Sequence, residues 1–262
     1  MDIVEEYRKQ AAWRSWPAIF AALPPVDGKT VLDLGCGIGD QSAELAARGA
    51  CVIGLDAQDE LLAAARSRGL PHAEFRHADL HRPLDPAIIA DGLWASFSPA
   101  YFTDLGAALA RWLPHIRPDG WIALTEIDDL FGHEPLSVRA RALFDAYAAD
   151  SLSAGRYDFH MGRKLRSCLE RARCTVTTAF SVPDHEFSFD GPARPDVLEA
   201  WRRRFTRMTL LRDRAGSDWE TIADEFLGCL QRPDHRSLCT VCFVLARKQI
   251  SPRPSAGSGI SQ

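Results

Sequence analysis

No stretch of the 262 residues approaches the ~18 uncharged apolar residues that a membrane-spanning helix needs. The first residues, MDIVEEYRKQAAW, carry neither a basic leader nor an apolar segment behind it, so a cytoplasmic protein is expected. A positive excess is missing as well. The formal net charge is -4, which leaves no global field to draw in nucleic acid or an anionic membrane, and a small-molecule substrate is the expected partner. The seven cysteines, an odd number in a chain this long, do not form a secreted disulfide framework. Cys239 and Cys242 imitate a metal motif inside SLCTVCFVLA, yet strand residues three apart point to opposite faces, so packing is expected and no metal. Two phosphate-binding signatures are also absent. No G-K-[ST] follows a glycine loop, and Gly35-Cys36-Gly37 has Asp40 where a dinucleotide turn needs its third glycine. A carboxylate at that first helical turn would repel a pyrophosphate.

What is present alternates. TVLDLGC, ACVIGLDA, AEFRHADL, DGLWASF and GWIALTEID are short β-rich runs, and helical spacing fills 41–48, 59–68 and 103–113 between them. TVTTAFSV and LCTVCFVLARK add two later strands. The pattern predicts an α/β fold, a doubly wound, mostly parallel seven-stranded sheet. A helix-like segment over 2–23 precedes it, helical insertions at about 130–160 and 195–231 interrupt it, and the Pro/Ser/Gly-rich stretch 251–262 reads as a disordered tail. With 46% hydrophobic residues the rest can bury one large core.

Glycines at 35, 37 and 39 follow a strand that carries Asp33, and Asp56 ends the next strand, placed to accept two ribose hydroxyls. Acids in place of phosphate-binding groups suit a cofactor with a cationic amino-acid end. These segments resemble the class I S-adenosylmethionine-dependent methyltransferases, in particular the small-molecule branch of ubiquinone- and menaquinone-biosynthesis type. VLDLGCGIG matches that family's first motif, VIGLD its second and FRHADL its third, and the likeness continues through DGLWASFSPAYF to GWIALTE. Pro118-Asp119-Gly120 departs from the usual Pro-Gly-Gly. The resemblance implies S-adenosyl-L-methionine as cofactor, held by Asp33, Gly35, Cys36, Gly37, Asp56 with Ala57, Asp79 with Leu80, and Ser96. It also implies that residues 1–28 form a helical lid, with Tyr7 on the cofactor, over a methyltransferase domain at 29–250.

The acceptor side has no family motif. Tyr101, in SPAY after strand four, is expected to line the pocket. The loop 128–134 is expected to close over the acceptor, with His133 as general base, because strand five ends where the reactive methyl should point. Glu126, Asp128, Asp129 and Glu134 crowd the same segment, but a metal-dependent relative would also need an acid where this chain offers Ser96 and Ser98. Tyr157 and His160 alternate with Phe159 and Met161, a pattern that fits pocket lining or packing, and His160 is a second candidate base. In EAWRRRFTRMTLLRDR the stripe Trp201, Phe205, Met208 and Leu211 is expected to be buried, leaving Arg202, Arg203 and Arg207 on a solvated face unless one reaches a substrate carboxylate or phosphate. The expected function is methyl transfer to a small organic acceptor. The alternatives are a fold relative that binds the cofactor but catalyses another reaction, or a nonenzymatic binding module.

Overall fold

Valine and leucine on both sides of Asp33 make β1 (Thr30–Leu34) a strand buried on both faces, as the interior of a parallel sheet requires. The computed structural model describes residues 3–249; the tail expected at 251–262 lies outside the described residues. From β1 the chain alternates through α3 (Asp40–Ala47), β2 (Cys51–Asp56), α4 (Asp59–Ser67), β3 (Ala73–His77), β4 (Ala90–Ser96), α5 (Leu105–Trp112) and β5 (Ile116–Asp128). Ahead of them stand α1 (Ile3–Ala11) and α2 (Trp16–Ala21). Beyond them come β6 (His133–Glu134), α6 (Val138–Ser153), α7 (Met161–Arg171), β7 (Cys174–Val182), α8 (Pro195–Arg207), α9 (Thr209–Ala215), α10 (Trp219–Leu230), β8 (Arg236–Ser237) and β9 (Thr240–Lys248).

The sheet has the order β3-β2-β1-β4-β5-β9-β7, with β9 antiparallel to both neighbours and the other pairings parallel. The doubly wound, mostly parallel seven-stranded sheet expected from the sequence is therefore the observed one. Its two faces carry separate cores. Val31, Trp94, Ala123 and Phe243 face α2, α6, α8 and α10, whereas Leu32, Leu93, Leu124 and Val244 face α5 and α7. No helix among the described residues is long and apolar enough to cross a membrane.

Two expectations need correction. The N-terminal helix is not continuous over 2–23: it breaks at Trp13–Ser15, where Arg14 forms a bridge to Asp184. The segment Pro118-Asp119-Gly120 lies inside β5 as a bulge, since the partner of β4 jumps from Ile116 to Trp121 while β4 advances only from Ala90 to Gly92. Helix α6 is capped by Ser137 Oγ, which accepts from Ala140 N–H at 3.1 Å.

Helix α2 docks on the sheet through Phe20, whose ring stacks on Trp94 at 4.8 Å and 2°. Both rings are buried, so Phe20→Ala opens a cavity and should cost about 3–5 kcal/mol. Urea denaturation should show a lower midpoint with an unchanged slope; a loss below about 1 kcal/mol would mean that α2 is held by other contacts.

Candidate active site

The strand order reverses between β1 and β4, and ligands of open α/β sheets lie at such switch points, beyond the C-terminal strand ends. The two connections touch there. Gly35, at φ 75°, has Ser98 Cβ 2.7 Å from where its own Cβ would stand, and Ser98 Oγ donates to Leu34 O at 2.9 Å. Gly37 is also left-handed, at φ 53°, and a Cβ there would meet the Tyr7 ring at 3.4 Å. The turn is thus bare backbone on both sides, a cradle that side chains would fill.

Asp56 holds this turn in place. Its Oδ2 accepts from Gly37 N–H and its Oδ1 from Gln58 N–H, each at 2.9 Å. Every carboxylate oxygen offers a further lone pair, so the same group can take two ribose hydroxyls. Asp33 lies deeper, accepts from Ser42 Oγ at 2.5 Å, and burial pushes its pKa up to about 7. Asp40 does open α3 as expected, but its carboxylate pairs with Arg68. Together these residues fit an adenosyl ligand that carries no phosphate. Cys36 is buried beneath the turn, Ala57 is exposed just past β2, and Ser96 Oγ is buried at the end of β4 without a hydrogen-bond partner. Leu80 is buried, while the Asp79 carboxylate is turned back on its own loop, where it accepts from His81 N–H at 2.9 Å and ends below its ordinary pKa.

Helix α1 crosses over the turn, its Val4 packed with Ile38 and Leu61. Glu6 fixes the helix to α8 by pairing with Arg207 at 2.5 Å. Tyr7 is thereby held against Gly37. Tyr101 and Tyr157 are in edge contact with each other at 5.0 Å, and Tyr101 lies close enough to act on the Tyr7 phenol. Tyr7 and Tyr101 are 38% and 54% exposed, yet desolvation raises both phenol pKa values, that of Tyr7 to about 12. Both rings are therefore crowded by surrounding protein although part of each stays open. Burial raises Tyr157 further, with Glu126 and Tyr101 adding to it. None of the three phenol hydroxyls has a hydrogen-bond partner among the described residues.

Charged groups lie behind the tyrosines. Glu126 is 0% exposed and accepts from Ala100 N–H and Ile127 N–H at 2.9 Å each; burial pushes its pKa up to about 7. Arg14 is sandwiched between Phe97 and Phe187 and paired with Asp184 and Glu186 at 2.9 Å. Arg204 reaches Glu186 through Nη2 at 2.6 Å and lies over Phe187 and Trp201. Burial alone would raise Glu186, but Arg204 and Arg14 outweigh it and hold the carboxyl below its usual range.

The loop 128–134 is not a flap. Asp129 N–H donates to Phe159 O at 2.8 Å, Gly132 N–H returns to Asp129 O at 2.7 Å, and His133 opens β6, paired with β8. His133 is 0% exposed and boxed by Trp201, Phe226 and His235, so it has no surface from which to take an acceptor proton. That placement corrects the expectation of an accessible base. His160 sits just before α7, half-buried, with Nδ1 4.0 Å from Asp128 Oδ1 and its N–H bonded to Asp158. The acids near β5 are dispersed by other partners, Asp128 by Arg163 at 2.7 Å, and among the described residues no group of three or more His, Cys, Asp or Glu could hold a metal. Cys239 is buried, Cys242 half-buried, and both are free thiols. In α8 the expected stripe is buried at Trp201 and Phe205, with Arg202 on the outside paired to Glu199.

The site and the sheet define a class I methyltransferase, and comparison with known proteins agrees. Residues 31–120 match the family described as "Methyltransferase domain". Over 193 residues the chain is 30% identical to the trans-aconitate 2-methyltransferase of Escherichia coli O139:H28 (strain E24377A / ETEC), covering 70% of this chain and 74% of that protein. The chain therefore belongs to the S-adenosylmethionine-dependent methyltransferases, with S-adenosylmethionine as the cofactor that the Gly35–Gly37 turn and Asp56 fit. The trans-aconitate 2-methyltransferase of Azoarcus sp. (strain BH72) is 37% identical over 124 residues, 46% of this chain and about half, 48%, of that protein. An S-adenosylmethionine-dependent methyltransferase from Mesorhizobium loti has the same fold, with a TM-score of 0.54, 21% identity, and coverage of 89% of this chain and 97% of that one.

Two outcomes are expected here. Asp56→Ala should weaken calorimetric binding of S-adenosylhomocysteine at least about tenfold, since each lost charge-assisted bond is worth ~1.5–3 kcal/mol. Asp56→Asn, which keeps one acceptor oxygen for the turn, should fall between the two, and wild-type affinity in folded Asp56→Ala would remove Asp56 from the site. The second concerns acid. His235 Nδ1 bonds Gly191 O at 3.0 Å, so it carries the proton and its Nε2 accepts from His133 Nδ1–H, also at 3.0 Å. His133 Nε2 is then a buried acceptor without a partner. Burial, with His235, Arg141 and Arg204 adding to it, drops the His133 pKa well below its ordinary value. The unfolded chain therefore binds more protons than the native one below the ordinary histidine pKa of ~6.5, and stability should fall as pH drops from there toward the depressed native value. Urea midpoints between pH 7 and 5 should decline more steeply for wild type than for His133→Asn; equal slopes would show that this imidazole does not titrate in that window.

Proposed function

We propose that the protein methylates a carboxylate oxygen of a small organic acid. The observation that carries this reading is the set of groups gathered on the acceptor side of the strand ends: the phenols of Tyr7, Tyr101 and Tyr157, protonated at neutral pH, Arg204 close enough to act on two of them, and an imidazole of His133 that is sealed off. These phenols can donate hydrogen bonds, and His133 cannot reach an acceptor proton. A carboxylate acceptor is already an anion at neutral pH, so it needs donors and alignment rather than deprotonation. The chemistry the cofactor supplies is an electrophilic methyl on a cationic sulfur: the acceptor oxygen's lone pair forms the C–O bond as the S–C pair returns to sulfur. The names of the trans-aconitate 2-methyltransferase relatives support an acid as acceptor.

In this reading Asp33, Gly35, Cys36, Gly37 and Asp56 form the amino-acid and ribose half of the cofactor site, with Ala57, Asp79, Leu80 and Ser96 around its base. Helix α1 serves as the lid, Tyr7 separating the cofactor turn from the acceptor side. Desolvation behind that lid strengthens each donor on the acceptor and keeps water from the electrophile. The partner is a small molecule, and nucleic acid has no part in the reaction.

The test is incubation with methyl-labelled S-adenosylmethionine and a panel of small carboxylic acids that includes trans-aconitate. Label should enter a product from which mild alkali releases methanol, the behaviour of an ester. Label confined to alkali-stable products would overturn carboxylate methylation while leaving the cofactor assignment intact.

A further inference from the structure

We infer that Arg204 binds a second carboxylate of the acceptor, one that is not methylated, so that the substrates are small di- or polycarboxylic acids. The inference rests on the carboxylate reading above and adds the residue that would select among acids.

Arg204 carries an unused donor. The Arg204 side chain is 14% exposed and spends Nη2 on Glu186 Oε1 at 2.6 Å, but its Nη1 is buried with no hydrogen-bond partner. A guanidinium edge left unpaired in a low-dielectric site is costly, and a ligand acceptor that completes it removes that cost. The orientation is set from three sides. Phe187 and Trp201 lie under the guanidinium at 5.0 and 4.8 Å, and Glu186 fixes one edge, so the remaining edge cannot swing away. Tyr157 packs against the same core as the Phe187 and Trp201 rings that carry the guanidinium, and the positive charge acts on the phenols of both Tyr101 and Tyr157.

The neighbouring charges leave this role to Arg204. Arg14 is paired with both Asp184 and Glu186, and Arg207 is taken by Glu6. Arg14 and Arg204 together balance Asp184 and Glu186, so the group is neutral overall and an incoming carboxylate meets no net repulsion from it. Glu126, the other acid behind the phenols, has its pKa pushed up to about 7 and can be protonated beside a bound anion. The planar fork of arginine matches a carboxylate, and the restricted rotation means little entropy is lost when one binds.

The experiment measures, by calorimetry on protein saturated with S-adenosylhomocysteine, the binding of succinate, glutarate and adipate and of their monomethyl esters. Wild type should bind at least one diacid about tenfold or more tighter than its monoester, the difference a charge-assisted pair supplies. Arg204→Gln should abolish that preference with S-adenosylhomocysteine affinity unchanged. Arg204→Lys keeps a charge beside Glu186, and with it the fold, but lacks the fork; it should lose most of the preference. A wild type indifferent to the second carboxylate, or an undiminished preference in either variant, overturns the inference. Those results are independent of the alkali-release assay, which alone decides whether a carboxylate is the methylated group.

Discussion

The buried guanidinium of Arg14 is the contact on which the acceptor side of the molecule depends. Isolated in a protein interior it would be prohibitively costly, and Asp184 and Glu186 offset that cost by holding it at 2.9 Å each. Asp184 in turn accepts from the N–H groups of Glu186 and Phe187 at 2.8 Å, which folds the 184–187 segment into the turn that presents both acids. Glu186 then binds Arg204 on α8. One network thus ties the break between α1 and α2 to the segment after β7 and to the second insertion. Removing one partner of such a buried group typically costs 3–5 kcal/mol, at about the scale of a domain's whole stability.

Because that network fixes α8 and the N-terminal break together, it also fixes where α1 runs. Glu6 meets Arg207 one turn beyond Arg204, and the helix has no other course than across the glycine turn. Burial beneath it acts in one direction on the three phenols and on Glu126. Tyr7, Tyr101, Tyr157 and Glu126 are all raised, with burial the largest cause in each. Phenols are protonated donors at neutral pH in any case, and the upward shift of Glu126 to about 7 leaves that carboxyl partly protonated, which lessens the negative charge met by an anionic acceptor.

How much of this was legible in the sequence follows the distance between partners. Gly35, Gly37 and Asp56 lie within 22 consecutive residues, and their roles follow from strand–turn–helix order, so the fold and the cofactor turn could be read directly. Tyr101 was marked by its place after β4. His133 was misplaced because its position after β5 was read as a loop, whereas the short β6–β8 pairing with Ser237 and the hydrogen bond to His235, 102 residues away, draw it into the core. Arg204 was overlooked among its neighbours. Yet it stands three residues after buried Trp201, a helical spacing that puts it on the inner face, and that signal was present in the stripe itself. Arg14 gave no comparable sign, since its two acids are 170 and 172 residues away.

The division between near and distant partners has a chemical counterpart. Binding the cofactor takes backbone at a fixed turn and one acid at a strand end, which a continuous β-α-β unit supplies by itself. Recognising an acceptor takes groups on the opposite side of the methyl, and in this fold those come only from elements that reach over the strand ends: α1, the SPAY turn, the segment before α7, and α8. Their outward side chains can change while the buried ones, such as Trp201 and Ala100, go on packing the sheet's two cores. The limit on such change is electrostatic rather than steric. A new acceptor would have to be recognised without leaving Arg14, Arg204, Asp184 or Glu186 unbalanced, since each is buried and each depends on the others for its charge.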